Sequence, residues 1–306
     1  MMKLRSYQSD LVAQIMSAQR DLNILVQADT GAGKTSVLAE VARREKQVLV
    51  VAHRNILIRQ ASATMARHGI RHGAVCSEHT RRMCLLEHRR TLGREMLRTK
   101  GRITKFVSSI DRLLSLHRRG LLELSREASW TVLVDEAHHM LDGNKWGRLL
   151  EIFPNARIVG FTATPCRADG QSLARGKGGV FDVLVQADEL REDSVRKLIG
   201  MGYLSDFKVF SVPPPDGFDE QKLVVGRDGD YTQQSMLGVF DGAAYVFAGR
   251  AVEHYRRLAA GKQAVVFCVG ISIAEETARK FRQAGYSAAC ISSQMSPADV
   301  ARVFDM

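Results

Sequence analysis

Asn23-Ile24-Leu25-Val26-Gln27-Ala28-Asp29-Thr30-Gly31-Ala32-Gly33-Lys34-Thr35 is the stretch that decides how this 306-residue chain is read. Asn23 to Ala28 is a short apolar run suited to a buried strand, and Thr35 to Arg44 reads as a helix. A strand, a glycine turn and a helix in that order form a phosphate-binding loop. Gly31 and Gly33 let backbone N–H groups close around phosphate oxygens, and the helix N-terminus favours the anion. Asp29, Thr30, Gly31, Ala32 and Gly33 are therefore expected to cradle a nucleotide. Lys34 places a cation at the β/γ-phosphates, and Thr35 offers a hydroxyl to Mg2+. Ala28 stands where the pattern usually has its first glycine. A chance glycine-rich turn is the plain alternative, and the intact Gly33-Lys34-Thr35 between strand and helix speaks against it.

Outward from this loop the chain alternates. Ser6 to Gln19 carries Leu11, Val12, Ile15 and Met16 at helical spacing. Gln47 to Ala52, Lys105 to Ser108, Thr131 to Val134 and Arg157 to Phe161 are short apolar runs separated by helical stretches. That order predicts an α/β fold, a parallel sheet flanked by helices. Val134-Asp135-Glu136-Ala137-His138 closes one of the strands, and a carboxylate at a strand's carboxyl end faces the same crevice as the loop. Asp135 suits Mg2+, a hard cation that prefers oxygen. Glu136 suits orienting or deprotonating an attacking water. Two acids after a strand are, by themselves, usually a solvated turn; the upstream loop makes them catalytic candidates.

Composition bounds the reading. A 45% hydrophobic fraction with 25% charged residues describes a folded globular chain. No apolar run approaches a membrane span, and Met1 to Asp10 lacks a signal-peptide core, so a cytoplasmic location is expected. Five widely spaced cysteines fit a reducing compartment. The net charge of +11 is concentrated: nine Lys or Arg lie between Arg81 and Lys105, opposed by Glu87 and Glu95. Simple solvation explains many charge runs, but this density suits a nucleic-acid backbone.

Asp188 to Gly202 reads as a helix, and Ser211 to Asp219 holds three consecutive prolines that mark a linker. A helix from about 242 to 259, a strand over Ala264 to Val269, a helix from Ile273 to Ala284 and a strand over Ser287 to Ile291 follow. The expected organisation is a first domain over 1–190, an interdomain helix and linker over 191–240, and a partial second domain over 241–306.

Taken in order, these residues resemble the superfamily 2 helicases and translocases of the DEAH-like branch. Leu4-Arg5-Ser6-Tyr7-Gln8 resembles the branch's opening motif, which implies that Arg5 and Gln8 contact ATP and that Gln8 reads adenine. Val51-Ala52-His53-Arg54, with Leu57 and Gln60, is similar to motif Ia, and Val107-Ser108-Ser109 to the next backbone-contact motif. The resemblance thus implies a nucleic-acid track over His53, Arg54, Gln60 and Ser108. Asp135-Glu136-Ala137-His138-His139 matches the box motif. Thr162-Ala163-Thr164-Pro165, followed by Arg167, Asp169 and Gly170, looks like motif III of DNA-acting members. It implies that His138, Thr162 and Thr164 couple nucleotide state to domain movement. Leu198 to Phe207 resembles the interdomain helix of RadD-like and phage-type DNA helicases. Ala264 to Ser296 is similar to the start of a second RecA-like domain. The sequence stops before motifs V and VI, so the expectation is ATP and Mg2+ binding with weak hydrolysis by this chain alone. DNA is the expected partner ahead of RNA; a truncated gene, a fragment or a split partner that supplies the missing motifs are all compatible with this reading.

Other readings stay beside this one. A P-loop ATPase not directed at nucleic acid would turn over ATP indifferently to DNA, and a silent nucleotide- and DNA-binding remnant would bind without turnover. Cys76, His79, Cys84 and His88 have tolerable zinc spacing, although the surrounding arginines oppose a cation; a helical insert with Cys84 and Leu85 facing the core is the alternative. Trp130 and Trp146 read as packing residues, and Cys166 and Cys268 as buried or half-buried small hydrophobes.

Overall fold

The computed structural model describes residues 3–141, 143–166, 172–211, 218–226, 231–241 and 244–304. The chain divides into two compact units, Met1–Phe207 and Lys208–Met306. Arg167, Asp169, Gly170 and the three prolines of the expected linker lie outside the described residues.

In the first unit the elements run α1 (Ser6–Ser17), β1 (Ile24–Gln27), α2 (Lys34–Arg44), β2 (Val48–Ala52), α3 (Asn55–Arg67), β3 (Gly73–Val75), α4 (Glu78–Leu92), β4 (Lys105–Ser109) and α5 (Ile110–Arg118). They continue with β5 (Thr131–Asp135), α6 (Arg148–Ile152), β6 (Arg157–Thr162), β7 (Val183–Gln186) and α7 (Ser194–Gly200). All seven strands pair in parallel in the order β3-β4-β2-β5-β6-β1-β7. This is the α/β sheet that the alternating runs predict. Strands covered on both faces read as unbroken apolar runs, and β2 and β6 are buried at every residue. One core, with Tyr7, Leu38 and Phe161, covers one set of side chains; the other, with Trp130, Trp146 and Phe153, covers the second. Both tryptophans are packing residues, and the Trp130 indole N–H donates to Ser125 O at 2.8 Å.

Two strands went unpredicted. β3 has three residues and begins on a glycine, too short for a periodicity signal, and β7 is an edge strand with Leu184 exposed. Gly160 inside β6 marks a close approach, since a Cβ there would lie 2.5 Å from the Phe181 ring and 2.6 Å from the Ala137 methyl.

The second unit contains α8 (Gln233–Asp241), α9 (Ala244–Leu258), α10 (Ile271–Gln283) and α11 (Pro297–Phe304). Tyr255 packs edge-on against Phe281 and Tyr286, at 5.4 and 5.0 Å between ring centres. The strands expected over Ala264–Val269 and Ser287–Ile291 are absent from the described residues. An apolar run becomes a strand only where neighbours take its N–H and C=O groups. Here no ladder forms, and Phe267 is 93% exposed.

A buried polar cluster fastens α4 to α3 and β3. His72 Nδ1 lies 2.9 Å from Ile70 O, and Ser62 Oγ lies 2.8 Å from His72 Nε2 and 3.1 Å from His88 Nε2. Met96 N–H donates to His88 Nδ1 at 3.4 Å. Every contact is satisfied when both rings are neutral: His72 Nδ1–H donates to Ile70, Ser62 O–H to His72, and His88 Nε2–H back to Ser62. Burial holds the His72 pKa down at about 4 and depresses His88 as well. A histidine with a depressed folded pKa contributes its stability above the unfolded value near 6.5 and loses it as pH falls toward the folded value. Urea titrations from pH 7 to pH 4 should show about 3 kcal/mol lost through His72 alone. The same titration of His72→Gln should lack that component of the slope.

Candidate nucleotide site and nucleic-acid face

Strand register brings the expected residues together. Gln27 of β1 pairs with Thr162 of β6, and Phe161 of β6 pairs with Asp135 of β5. The loop after β1, the threonine ending β6 and the acid ending β5 therefore leave the sheet at one carboxyl edge. Two strand spacings put Asp135 and the loop roughly 10 Å apart. Lys34 acts electrostatically on Asp135, which agrees with that proximity.

Gly33 caps α2 at φ 80°, and a Cβ on it would lie 2.4 Å from Gln8 Nε2. Ala28 avoids the left-handed region, so its methyl costs nothing where a glycine is usual; its N–H donates to Thr162 O at 3.0 Å. Lys34 Nζ lies over the loop and donates to Ala28 O at 3.2 Å. The first N–H groups of α2 have no acceptor within the helix. With the Lys34 ammonium, the Thr35 hydroxyl and the Asp135 carboxylate, they form a donor set that fits a nucleotide phosphate and a hard divalent cation.

Gln8 is buried, with Nε2 donating to Ala32 O at 2.9 Å and Oε1 accepting from Arg5 N–H at 3.0 Å. Tyr7 O–H donates to the same Ala32 carbonyl at 3.1 Å. The opening motif thus braces the loop directly. Arg5 Nη1 donates to Tyr7 Oη at 2.7 Å, and its guanidinium stacks over Tyr203 at 3.7 Å. Three residues beyond the sequence-predicted set belong here: Ser194 O–H donates to the Asp29 carboxylate, Leu204 covers Gly31, and Tyr203 underlies Arg5. A small polar residue and a Gly-Tyr-Leu tail carry no sequence signal for that role.

Burial raises the Asp135 pKa, reinforced by the Glu136 charge. Glu136 takes φ 56° and ψ 50°, a left-handed conformation that costs a non-glycine residue about 1–2 kcal/mol. Its N–H donates to Asp135 Oδ1 at 3.1 Å. His138 Nδ1 lies 3.4 Å from Glu136 Oε2 and 3.1 Å from Thr162 Oγ1, and Thr162 Oγ1 bonds both the O and N–H of Thr164, at 3.0 and 3.1 Å. A continuous polar path therefore joins the acidic pair to the end of β6.

The expected backbone track is dispersed in character. Arg54 and Gln60 are exposed on the first turns of α3. The half-buried His53 ring meets His139 at 5.2 Å and Trp146 at 6.3 Å. Burial lowers its pKa, with Arg54 and Lys145 adding to the effect. Ser108 is fully buried and gives its hydroxyl to Val75 O at 2.8 Å; Ser109 caps α5. In the basic segment Lys105 turns inward to the carbonyls of Ala42, Arg43 and Glu45 at the end of α2. Arg82, Arg90, Arg94, Arg98, Lys100 and Arg102 remain exposed. Cys84 and His88 are buried while His79 is exposed. Among the described residues no group of three or more His, Cys, Asp or Glu could hold a metal ion. Cys166 is exposed, contrary to its reading as a buried or half-buried small hydrophobe, because it follows the end of β6, whereas Cys268 is half-buried as expected. Among the described residues no helix is long and apolar enough to cross a membrane.

A parallel sheet with a glycine-lysine loop and an acidic pair at one carboxyl edge is the arrangement of a P-loop nucleotide-binding domain, and the family match over the same residues makes it superfamily 2 helicase-like. Residues 1–167 match the family described as Type III restriction enzyme, res subunit, and the chain belongs to that family. It is also similar to a "51.5 kDa protein" of a Lactococcus phage (isolate 7-9), with 25% identity over 268 residues, covering 86% of this chain and 48% of that protein. The chain thus spans about half the length of this curated relative. Among solved structures, the Pyrococcus furiosus Hef helicase domain matches with a TM-score of 0.46 at 14% identity, covering 92% of this chain and 54% of that one. The UvsW helicase from bacteriophage T4 matches with a TM-score of 0.39 at 16% identity, covering 60% of each chain.

Gly33→Ala combines a left-handed backbone with a clash against Gln8. It should destabilise the first unit by about 2 kcal/mol or more, read as a lower urea midpoint at unchanged slope. An unaltered midpoint would mean that the loop does not hold this conformation.

Proposed function

We propose that the chain is an ATP-dependent nucleic-acid motor segment acting on DNA. The observation that carries this is the common carboxyl edge, where strand register sets Thr162 beside Gln27, which leads into the Lys34 loop, and Asp135 beside Phe161. In this reading Gly31 to Thr35 wrap the phosphates and Lys34 neutralises their charge. Thr35 and Asp135 hold Mg2+, which when bound supplies electrostatic stabilisation of the transferring phosphoryl group. Glu136 positions and deprotonates the water. Arg5, stacked on Tyr203, borders the base, and Gln8 serves through the loop it braces.

His138, Thr162 and Thr164 relay the nucleotide's state away from the acidic pair. His53, Arg54 and Gln60 meet the nucleic-acid backbone, with the exposed arginines of 82–102 extending the positive field. Ser108, with its hydroxyl turned inward, contributes by fixing the strand end behind that track. DNA is favoured over RNA by the threonine-led Thr162-Ala163-Thr164-Pro165, read by resemblance.

Steady-state ATP hydrolysis with Mg2+, with and without single- and double-stranded DNA, tests this. DNA should raise turnover above that of Glu136→Gln, and the stimulation should fall steeply with salt, as phosphate contacts do. Turnover equal to that of Glu136→Gln under every condition contradicts a hydrolytic motor. Turnover indifferent to DNA contradicts the nucleic-acid partner.

A further inference from the structure

A second candidate binding surface lies in the first unit, away from the glycine loop. Beside the edge strand β3 lies a cleft of about 530 Å3. Its described lining includes the arginines Arg81 of α4, Arg98 and Arg112 of α5, over an apolar floor with Ile103 and the half-buried Phe106 ring. Glu123 is the sole carboxylate among those lining residues. Five strand spacings separate β3 from β1, so the cleft lies about 24 Å from the phosphate-binding loop.

The arginines are not spent on structure. Among the described residues none of the three forms an ion pair, whereas neighbouring Arg89 is held by Glu95. Arg81 Nε is buried with no hydrogen-bond partner. A buried donor of a charged group without an acceptor is costly, and such a group takes its partner from protein, ordered water or a bound species; beside two further unpaired arginines and an apolar floor, a bound anion fits that role. Guanidinium groups suit phosphate, which they engage with two parallel N–H bonds. A bare anion would not need the Phe106 and Ile103 floor. That surface suits a flat aromatic group, and the cavity size falls in the range of small-ligand sites, roughly 300–1,000 Å3.

We propose that this cleft binds a nucleoside monophosphate unit, its phosphate on Arg81, Arg98 and Arg112 and its base against Phe106 and Ile103. The unit is either a free nucleotide or the 5′-phosphorylated end of a strand. The site stands apart from the ATP crevice and does not depend on the motor reading.

Calorimetric titration of the full chain carrying Lys34→Ala, which disables the ATP crevice, tests the proposal. The probes are AMP, 5′-phosphorylated pentathymidylate, the same oligonucleotide without its phosphate, and inorganic phosphate. AMP or the phosphorylated strand should bind, and Arg98→Ala with Arg112→Ala should weaken binding about tenfold or more. Both arginines are exposed, so the fold survives their removal. Arginine-dependent preference for the phosphorylated over the unphosphorylated strand assigns the strand end. Binding of AMP alone assigns the free nucleotide. Affinity unchanged by the two substitutions, inorganic phosphate binding as tightly as AMP, or no binding by either nucleotide probe overturns the proposal.

Discussion

Ala28 N–H donates to Thr162 O at 3.0 Å, carrying the β1–β6 ladder one residue past the strand end into the phosphate-binding loop. The bond fixes where the loop begins relative to the strand ending in Thr162, and β6 in turn fixes Asp135 through its pairing with β5. A slip of one residue in either pairing would turn every side chain on that strand to the other face. Both faces are apolar, so the register is held not by polarity but by the fit of individual side chains into the two close-packed cores. The site is rigid for the same reason that the sheet is stable.

Several costs are concentrated around this edge and offset nearby. Glu136 is held in a left-handed conformation, and the Asp135 carboxylate bonding its N–H is part of what keeps it there. Asp135 is itself partly desolvated, which raises its pKa and leaves its charge ready for a cation. Further from the edge, Lys105 places an ammonium on the carbonyls ending α2, the helix that starts on the loop. A cation at a helix C-terminus is favourable, so β4 anchors the far end of the helix that begins on the glycine loop.

Sequence periodicity carried the parallel sheet because buried strands such as Gln47 to Ala52 are continuous apolar runs bounded by helices. The loop stood out because Gly33-Lys34-Thr35 lies between a strand and a helix, and the acidic pair only because that loop precedes it; the structure brings both to one carboxyl edge. The resemblance marks Gln8 as an adenine contact, whereas its grip on the Ala32 carbonyl is a separate role with no signature in composition. Ser194, Tyr203 and Leu204 were not legible at all, since their role comes from a chain reversal that brings residues near 200 back onto residues 5 and 31. The runs at 264–269 and 287–291 misled because periodicity reports burial potential and says nothing of pairing partners. Ser108 misled in a different way: motif position does not say which way a hydroxyl turns.

The central claim is that Lys34 and Asp135, more than 100 residues apart in sequence, act on one bound nucleotide. A double-mutant cycle on Mg·ATP affinity, with Lys34→Ala, Asp135→Asn and the pair measured by calorimetry, tests it most directly. Groups sharing one ligand should show a coupling of about 1 kcal/mol or more, with the second substitution costing far less once the first is made. Losses that add within about 0.5 kcal/mol, or Mg·ATP binding indifferent to both changes, would contradict a shared pocket.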